Sequence, residues 1–211
     1  QDTVGVRVPD HPVALGLLEA FVRAGGKGVA APSANRFGNV SPTTAQAVSD
    51  ELSDYLADGD QILDGGACDV GVESTIIDCT GDVPKILRPG AITAQMISES
   101  TGFEVAGQTS GDAVVDSSAI RVSGSLEAHY APAATVVLDQ SPVAGQGFIA
   151  MADVVAGAGV VRLAAPKTHE EFARVLYSAL RAADEQGLET VVVQQPLGDG
   201  IAIAIRDRLK R

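Results

Sequence analysis

The chain has 211 residues, of which 45% are hydrophobic and 20% are charged, and its formal net charge at pH 7 is −12. This length and composition suit one large domain or two modest ones. An acidic surface repels the phosphate backbone of nucleic acids, and we therefore expect no direct binding to nucleic acid. No apolar run approaches the roughly 20 residues that cross a bilayer, so we expect no membrane partner either.

The first part of the chain alternates short apolar runs with helical patterns. Apolar spacing predicts helices over 12–24, 43–56 and 93–100. Runs of β-branched and apolar residues predict strands over 3–8, 28–31, 62–64, 74–79 and 85–88. Because the first residue is Gln and a strand pattern already begins at Thr3, we expect the chain to start inside a domain.

The second part of the chain follows a segment with little periodicity that starts near residue 107 and is typical of a linker. Strand patterns then occupy 135–138, 147–151, 160–163 and 190–193, and helical patterns occupy 170–186 and 201–209. Strands alternating with helices predict a small parallel-sheet, Rossmann-like α/β domain. The expected boundaries are a first domain over 1–117, a linker over 118–133 and an α/β domain over 134–211.

The segment from Ala31 to Thr44 is the most informative stretch. Hydroxyls, an amide, a glycine and two prolines stand between an apolar run and a predicted helix. A stiff polar loop that enters a helix offers N–H groups and hydroxyls to an anion. The same residue types also make ordinary turns and helix caps, and local sequence leaves both interpretations open.

Arginine is scarce in the first domain, which draws attention to Arg7 and Arg88. Arg7 lies within an apolar strand pattern, and Arg88 ends another just before Pro89 and Gly90. A guanidinium suits bidentate capture of a carboxylate or phosphate. An anion site and two ordinary surface arginines remain equally compatible with the sequence. Ser74 is the first residue of the strand predicted over 74–79, and it either binds ligand or merely begins the strand.

Other chemistries have weaker signals. His129 and Tyr130 in the linker either close over a ligand or pin the linker to a surface. Cys68 and Cys79 lack metal-binding spacing and fit a reducing, cytoplasmic environment. No catalytic triad, Walker A motif or G-x-G-x-x-G is recognisable, so we assign no catalytic residue and no metal ligand.

Several motifs occur in series and together resemble one family. They are Thr3-Val-Gly-Val-Arg-Val-Pro-Asp-His-Pro12, Ala31-Pro-Ser-Ala-Asn35, Ser41-Pro-Thr-Thr44, Gly71-Val-Glu-Ser-Thr-Ile76 and Leu87-Arg-Pro-Gly90. This series resembles the C-terminal half of a YrdC-like α/β twisted-sheet domain. His129-Tyr-Ala-Pro132, followed by an α/β tail, resembles the long form of the threonylcarbamoyl-adenylate synthase family.

The resemblance implies that L-threonine, bicarbonate and ATP, with Mg²⁺, are converted to threonylcarbamoyl-AMP and pyrophosphate. The product would pass to a downstream enzyme that makes threonylcarbamoyladenosine in tRNA, in the cytoplasm. By the same resemblance, L-threonine would contact Arg7, Ala31 and Ser74. The residues implied for ATP are Thr3, Ser33, Asn35, Ser41, Arg88, His129 and Tyr130.

One departure from the family is large. The family's lysine- and arginine-bearing motif, which faces the nucleotide phosphates, has no counterpart in this sequence. We therefore expect this polypeptide alone to be inactive or nearly so, and the strands that the resemblance implies but the sequence lacks should leave a sheet edge or apolar face exposed. Two alternatives stay open: a YrdC-like carbamoyl-transfer protein, and a non-catalytic nucleotide- or RNA-binding module. The linker motif and the α/β tail argue against the first, and the net charge of −12 argues against RNA.

Overall fold

A computed structural model describes residues 3–36, 38–106 and 131–210. The described residues form two compact units. The first comprises 3–36 and 42–67, and the second comprises 38–41, 68–106 and 131–210. Most of the expected linker lies outside the described residues, so the division at 118–133 stays a prediction.

The first unit contains two helices with conventional N-caps. Helix α1 spans Pro12–Arg23, helix α2 spans Ala45–Leu52, and a 3₁₀ turn follows at Ser53–Tyr55. The His11 Nδ1 atom accepts a hydrogen bond from the Val13 N–H at 3.3 Å. The Thr44 hydroxyl accepts one from the Ala47 N–H at 3.1 Å. Helix α1 therefore starts at Pro12 as predicted, whereas α2 starts two residues later than predicted because Thr44 is its N-cap.

The strands expected over 3–8, 28–31 and 62–64 are wrong, because the described residues of the first unit contain helices but no strand. A strand needs a neighbour to pair with its backbone and cover its side chains. Here Val4, Val6 and Val8 are 85%, 79% and 90% exposed, so their β-branched pattern meets no such neighbour. The unit thus leaves apolar side chains in solvent, as expected from the sequence.

The second unit begins with a hairpin-like pair of strands. Strand β1 spans Ile76–Asp78 and strand β2 spans Lys85–Arg88. They run antiparallel, with Ile76 opposite Arg88 and Asp78 opposite Lys85. Helix α3, Ala94–Thr101, follows, capped by the Thr93 hydroxyl.

The later part of the second unit contains a four-stranded sheet and two helices. Its strands are β3 (Thr135–Leu138), β4 (Gly147–Ile149), β5 (Val161–Ala164) and β6 (Thr190–Val193), in the order β3-β6-β4-β5. All paired neighbours run parallel. Helices α4 (His169–Glu185) and α5 (Ile201–Leu209) complete it. This confirms the predicted α/β class with a small parallel sheet.

The core of the second unit lies between the sheet and the two helices. Helix α4 buries Phe172, Leu176 and Leu180, which recur every four residues and so share one face. These side chains belong to one cluster with Val191 and Val193 of β6. A smaller cluster contains Val192, as the alternation of a strand requires. The helices are therefore held firmly against the sheet, and their remaining faces are available to position loops.

Candidate functional site

Arg88 and Ser74 form the central pair of the candidate site. Arg88 is the last residue of β2 and is only 5% exposed, whereas Ser74 lies just before β1 and is exposed. The Arg88 guanidinium donates from Nε to the Ser74 carbonyl oxygen at 3.0 Å and from Nη2 to Ser74 Oγ at 3.2 Å. A buried cation beside an exposed hydroxyl is a local arrangement that suits a carboxylate or phosphate.

The neighbouring residue, Glu73, accepts hydrogen bonds from three side chains. The Tyr177 hydroxyl oxygen lies 3.0 Å from Glu73 Oε1 and 2.8 Å from Oε2, and it donates its single proton to this carboxylate. Arg208 Nε donates to Oε2 at 2.5 Å, and the Ser41 hydroxyl to Oε1 at 3.3 Å. Tyr177 of α4, Arg208 of α5 and Ser41 therefore all contact one carboxylate, that of the residue before Ser74.

Arg208 also reaches the segment on the other side of the pair. Its side chain is 1% exposed, and its Nη2 donates to the Pro89 carbonyl oxygen at 3.3 Å. Its Nη1 pairs with the Asp207 carboxylate. A buried arginine needs several such partners because an unpaired buried charge is costly. The same guanidinium thus contacts the residue before Ser74 and the residue after Arg88.

Close backbone contacts leave these segments little room to move. A Cβ added at Gly90 would lie 2.4 Å from the Thr75 nitrogen and 2.7 Å from the Glu73 oxygen. A Cβ at Gly71, whose φ is +76°, would lie 2.5 Å from the Ala173 carbonyl oxygen in α4. Only glycine permits both approaches. The loop before Ser74 is therefore seated directly on helix α4.

Further contacts attach the loop over 38–41 and the loop before Gly71 to the same helix. The Val40 carbonyl oxygen accepts a hydrogen bond from Arg181, and Val40 itself is 3% exposed within the α4 core cluster. Arg174 Nε donates to the Asp69 carbonyl oxygen at 3.0 Å. Helix α4 thus supports both loops that carry candidate site residues of the second unit.

The remaining described candidates belong to the first unit. Thr3, Arg7, Ala31 and Ser33 are exposed there, and Asn35 is half-buried. The Asn35 side-chain amide donates to the Arg36 carbonyl oxygen at 2.9 Å. Their assignment to L-threonine and ATP stays a prediction, as does that of Ser41, Ser74 and Arg88 in the second unit. His129 and Tyr130 lie outside the described residues.

The polar loop of the first unit is anchored at Arg36. The Arg36 backbone N–H donates to Glu51 Oε1 at 3.1 Å, and the Glu51 side chain is only 7% exposed. Hydrogen bonds to Tyr55 and Glu51 raise the pKa of the Arg36 guanidinium, which therefore stays charged at any physiological pH. The loop is held at its end by a carboxylate on α2.

The described residues contain neither a metal-binding cluster nor a helix that could span a membrane. Within residues 3–36, 38–106 and 131–210, no group of three or more His, Cys, Asp or Glu is placed to hold a metal ion. Over the same ranges, no helix is both long and apolar enough to cross a membrane. Cys68 and Cys79 are free, exposed thiols.

Sequence reasoning missed the roles of Glu73, Tyr177 and Arg208. One signal was present for Arg208, since it interrupts the apolar helix pattern Ile201–Leu209 and so needs a polar partner if buried. Tyr177 follows the buried residue Leu176 of α4, which places its hydroxyl near the core but does not identify the acceptor. No signal linked either residue to Glu73.

Two family models together match nearly the whole chain, and individual relatives match its full length. A family model described as "Telomere recombination" (Sua5, YciO and YrdC) matches residues 1–90, and one described as "Threonylcarbamoyl-AMP synthase, C-terminal domain" matches residues 92–211. The threonylcarbamoyl-AMP synthases of Bacillus subtilis and Pyrococcus abyssi are each 33% identical to the chain over its full length. The chain spans 63% and 64% of their lengths, respectively.

The chain is also similar to a solved structure over nearly its whole length. The crystal structure of P. abyssi Sua5 complexed with L-threonine superimposes with a TM-score of 0.76 at 32% sequence identity. The match covers 99% of this chain and 63% of that one.

Proposed function

The chain belongs to the threonylcarbamoyl-AMP synthase family, and from that membership we propose that its protein makes threonylcarbamoyl-AMP from L-threonine, bicarbonate and ATP. The observation that carries the proposal is the buried Arg88 guanidinium beside the exposed Ser74 hydroxyl. Both substrates offer anionic groups to such a pair, because threonine carries a carboxylate and ATP carries phosphates. A similar protein, P. abyssi Sua5, has been solved with L-threonine bound.

The proposed reaction needs positioning and charge stabilisation rather than a covalent intermediate on the protein. The threonine amine adds to bicarbonate with loss of water and forms a carbamate. A carbamate oxygen then attacks the α-phosphorus of ATP, and the bond to the β-phosphate oxygen breaks so that pyrophosphate leaves. Guanidinium groups and hydroxyls held in place before the reaction stabilise the charge that develops.

On this proposal the candidate residues divide between the two substrates. Arg7, Ala31 and Ser74 hold L-threonine. The larger set of Thr3, Ser33, Asn35, Ser41, Arg88, His129 and Tyr130 holds ATP. Mg²⁺ bound to the ATP phosphates would neutralise part of their charge. The product passes in the cytoplasm to an enzyme that modifies tRNA.

The proposal is tested in the natural full-length protein with radiolabelled ATP and L-threonine. We expect pyrophosphate release that depends on both L-threonine and bicarbonate, together with a labelled threonylcarbamoyl-AMP product. Arg88→Gln should lose most of this activity, whereas Arg23→Gln should retain it, because Arg23 is 70% exposed and pairs only with Glu19 within the described residues. A folded protein that releases pyrophosphate without threonine would contradict the proposal.

The alternatives are separated by two further measurements on the same protein. A carbamoyl-transfer protein would form product from carbamoyl phosphate and ATP without threonine. An RNA-binding module would retain tRNA on a filter at moderate salt, which the net charge of −12 argues against. We expect neither outcome.

A further inference from the structure

Glu73, Tyr177 and Arg208 form a cluster that links the parallel-sheet helices to the candidate site, and we propose that this cluster positions Ser74 and Arg88. The affinity for the anionic substrates would then be set from helices α4 and α5. The inference rests on the proposed function and adds to it three positioning residues that do not themselves touch substrate.

The first step is the convergence on Glu73. Its carboxylate accepts one hydrogen bond from the Tyr177 hydroxyl, whose oxygen lies 2.8 and 3.0 Å from the two carboxylate oxygens, and one from Arg208 at 2.5 Å. Charge-assisted hydrogen bonds of this kind are short and directional. Since Ser74 is the next residue along the chain, fixing the Glu73 side chain restricts where the Ser74 backbone and hydroxyl can point.

Second, Arg208 contacts both segments of the site. While Nε contacts Glu73, Nη2 contacts the carbonyl oxygen of Pro89, the residue after Arg88. The Ser74 and Arg88 segments are therefore held by one guanidinium from α5 as well as by each other. Such a planar fork with several donors is specific to arginine, and lysine cannot reproduce it.

The third step is that packing alone explains this arrangement poorly. Burying an ion pair is often no more stabilising than burying apolar side chains of the same volume. Here the Arg208 and Glu73 side chains are 1% and 12% exposed, so their charges are largely removed from water. A buried pair of this kind gives one defined geometry, and that geometry is imposed next to residues that must meet a small charged substrate.

The test compares two substitutions on the same helix. Arg208→Lys removes the fork that reaches Glu73 and Pro89. Arg206→Lys is the matched control, because Arg206 contacts only the carbonyl oxygens of Pro196 and Gly198 among the contacts resolved in the described residues. In the natural full-length protein we expect Arg208→Lys to raise the KM for L-threonine about tenfold, with a smaller change in kcat. Arg206→Lys should leave both constants unchanged.

Tyr177→Phe is a milder variant that guards against simple unfolding. It removes one hydroxyl and should raise the KM for L-threonine about threefold. In a Glu73→Ala background, which lacks the acceptor oxygens, the same substitution should have little further effect, because the two residues act as a unit. A fall in the melting temperature with unchanged KM values for L-threonine and ATP would overturn the inference and leave the cluster a packing contact.

Hydrogen–deuterium exchange separates the inference from the proposed function. In Arg208→Lys we expect faster exchange of amides over 73–76 and 87–91, and in Arg206→Lys we expect no such change. If the protein makes no threonylcarbamoyl-AMP, the proposed function fails, yet this exchange pattern still decides whether the cluster positions the two segments. Unchanged exchange there in Arg208→Lys would refute the positioning role whatever the activity.

Discussion

Arg88 holds Ser74 twice, through the Ser74 carbonyl oxygen at 3.0 Å and through the hydroxyl at 3.2 Å. One contact fixes the backbone and the other orients the side chain, so this exposed serine has little freedom to choose a rotamer. The pair also bridges two strands, since Arg88 ends β2 and Ser74 precedes β1.

Replacing Arg88 by lysine should separate geometry from charge. Lysine keeps the positive charge but cannot donate to both Ser74 oxygens with a planar fork. We expect the KM for ATP in the natural full-length protein to rise about tenfold while the protein stays folded. The measurement is steady-state pyrophosphate release at varied ATP, with Arg23→Lys as the exposed control. A KM equal to that of the wild type would mean that charge alone suffices.

Gly90→Ala should destabilise the second unit. Its new Cβ would lie 2.4 Å from the Thr75 nitrogen, so the Ser74 segment and the turn after β2 must move apart. We expect a loss of about 1–3 kcal/mol in the free energy of unfolding, measured by urea titration. Gly81→Ala is the control, because a Cβ there meets nothing within 4 Å. Equal stabilities for the two variants would refute the close approach.

Arg162→Lys should weaken the parallel sheet. The Arg162 guanidinium donates at 2.8 Å to each of the carbonyl oxygens of Ala150, Met151, Val154 and Ala164, and it lies 4.9 Å from the centre of the Phe148 ring. Burial lowers its pKa somewhat, but the group stays protonated at neutral pH.

A lysine at position 162 leaves several of these carbonyl groups without a donor, so we expect the free energy of unfolding to fall by about 2–4 kcal/mol. Urea unfolding of the 211-residue chain measures it. Arg174→Lys, which loses a single bond to the Asp69 carbonyl oxygen, serves for comparison and should cost less. The reverse order would show that the carbonyl contacts contribute little.

Asp78 should titrate at lower pH than an ordinary aspartate. The Thr80 hydroxyl, at 2.7 Å, and the Thr80 N–H, at 2.9 Å, both donate to Asp78 Oδ1 and lower the pKa of that carboxyl below its usual 3.8. Because the folded pKa is the lower one, the stabilisation is present above the unfolded pKa and is lost as the pH falls through the folded pKa.

The substitution Thr80→Val removes the hydroxyl and leaves the N–H. A carboxyl-carbon NMR titration should then show the pKa of Asp78 rising toward 3.8. Thr101→Val, which removes a hydroxyl bonded to the Ile97 carbonyl oxygen, should leave that pKa unchanged. An Asp78 titration identical in wild type and Thr80→Val would assign the shift to another cause.

Local pattern was sufficient for elements whose apolar runs are bounded by turn residues. Strands over 85–88, 135–138 and 190–193 and the helix over 201–209 were predicted to the residue. Their bounds coincide with a change from apolar to turn residues. The strands expected over 3–8, 28–31 and 62–64 failed because pairing depends on a partner that no local pattern specifies.

The candidate site was predictable in part for the same reason. Arg88 and Ser74 were each singled out from short motifs at strand ends, but their contact with each other was not predicted and is seen only in the structure. The partners of Glu73 lie 104 and 135 residues further along the chain, at Tyr177 and Arg208. No pattern in a single sequence specifies a contact across such a separation, so the cluster became visible only in the folded chain.

The strand order β3-β6-β4-β5 also dictates when this unit can fold during synthesis. The last strand made, β6, is the one that joins β3 to β4, so the sheet stays in two parts until residues 190–193 have left the ribosome. The ion pair of Glu73 forms later still, since its arginine partner lies at position 208. A nascent chain halted before that point would carry the Ser74 and Arg88 segments without the clamp that joins them.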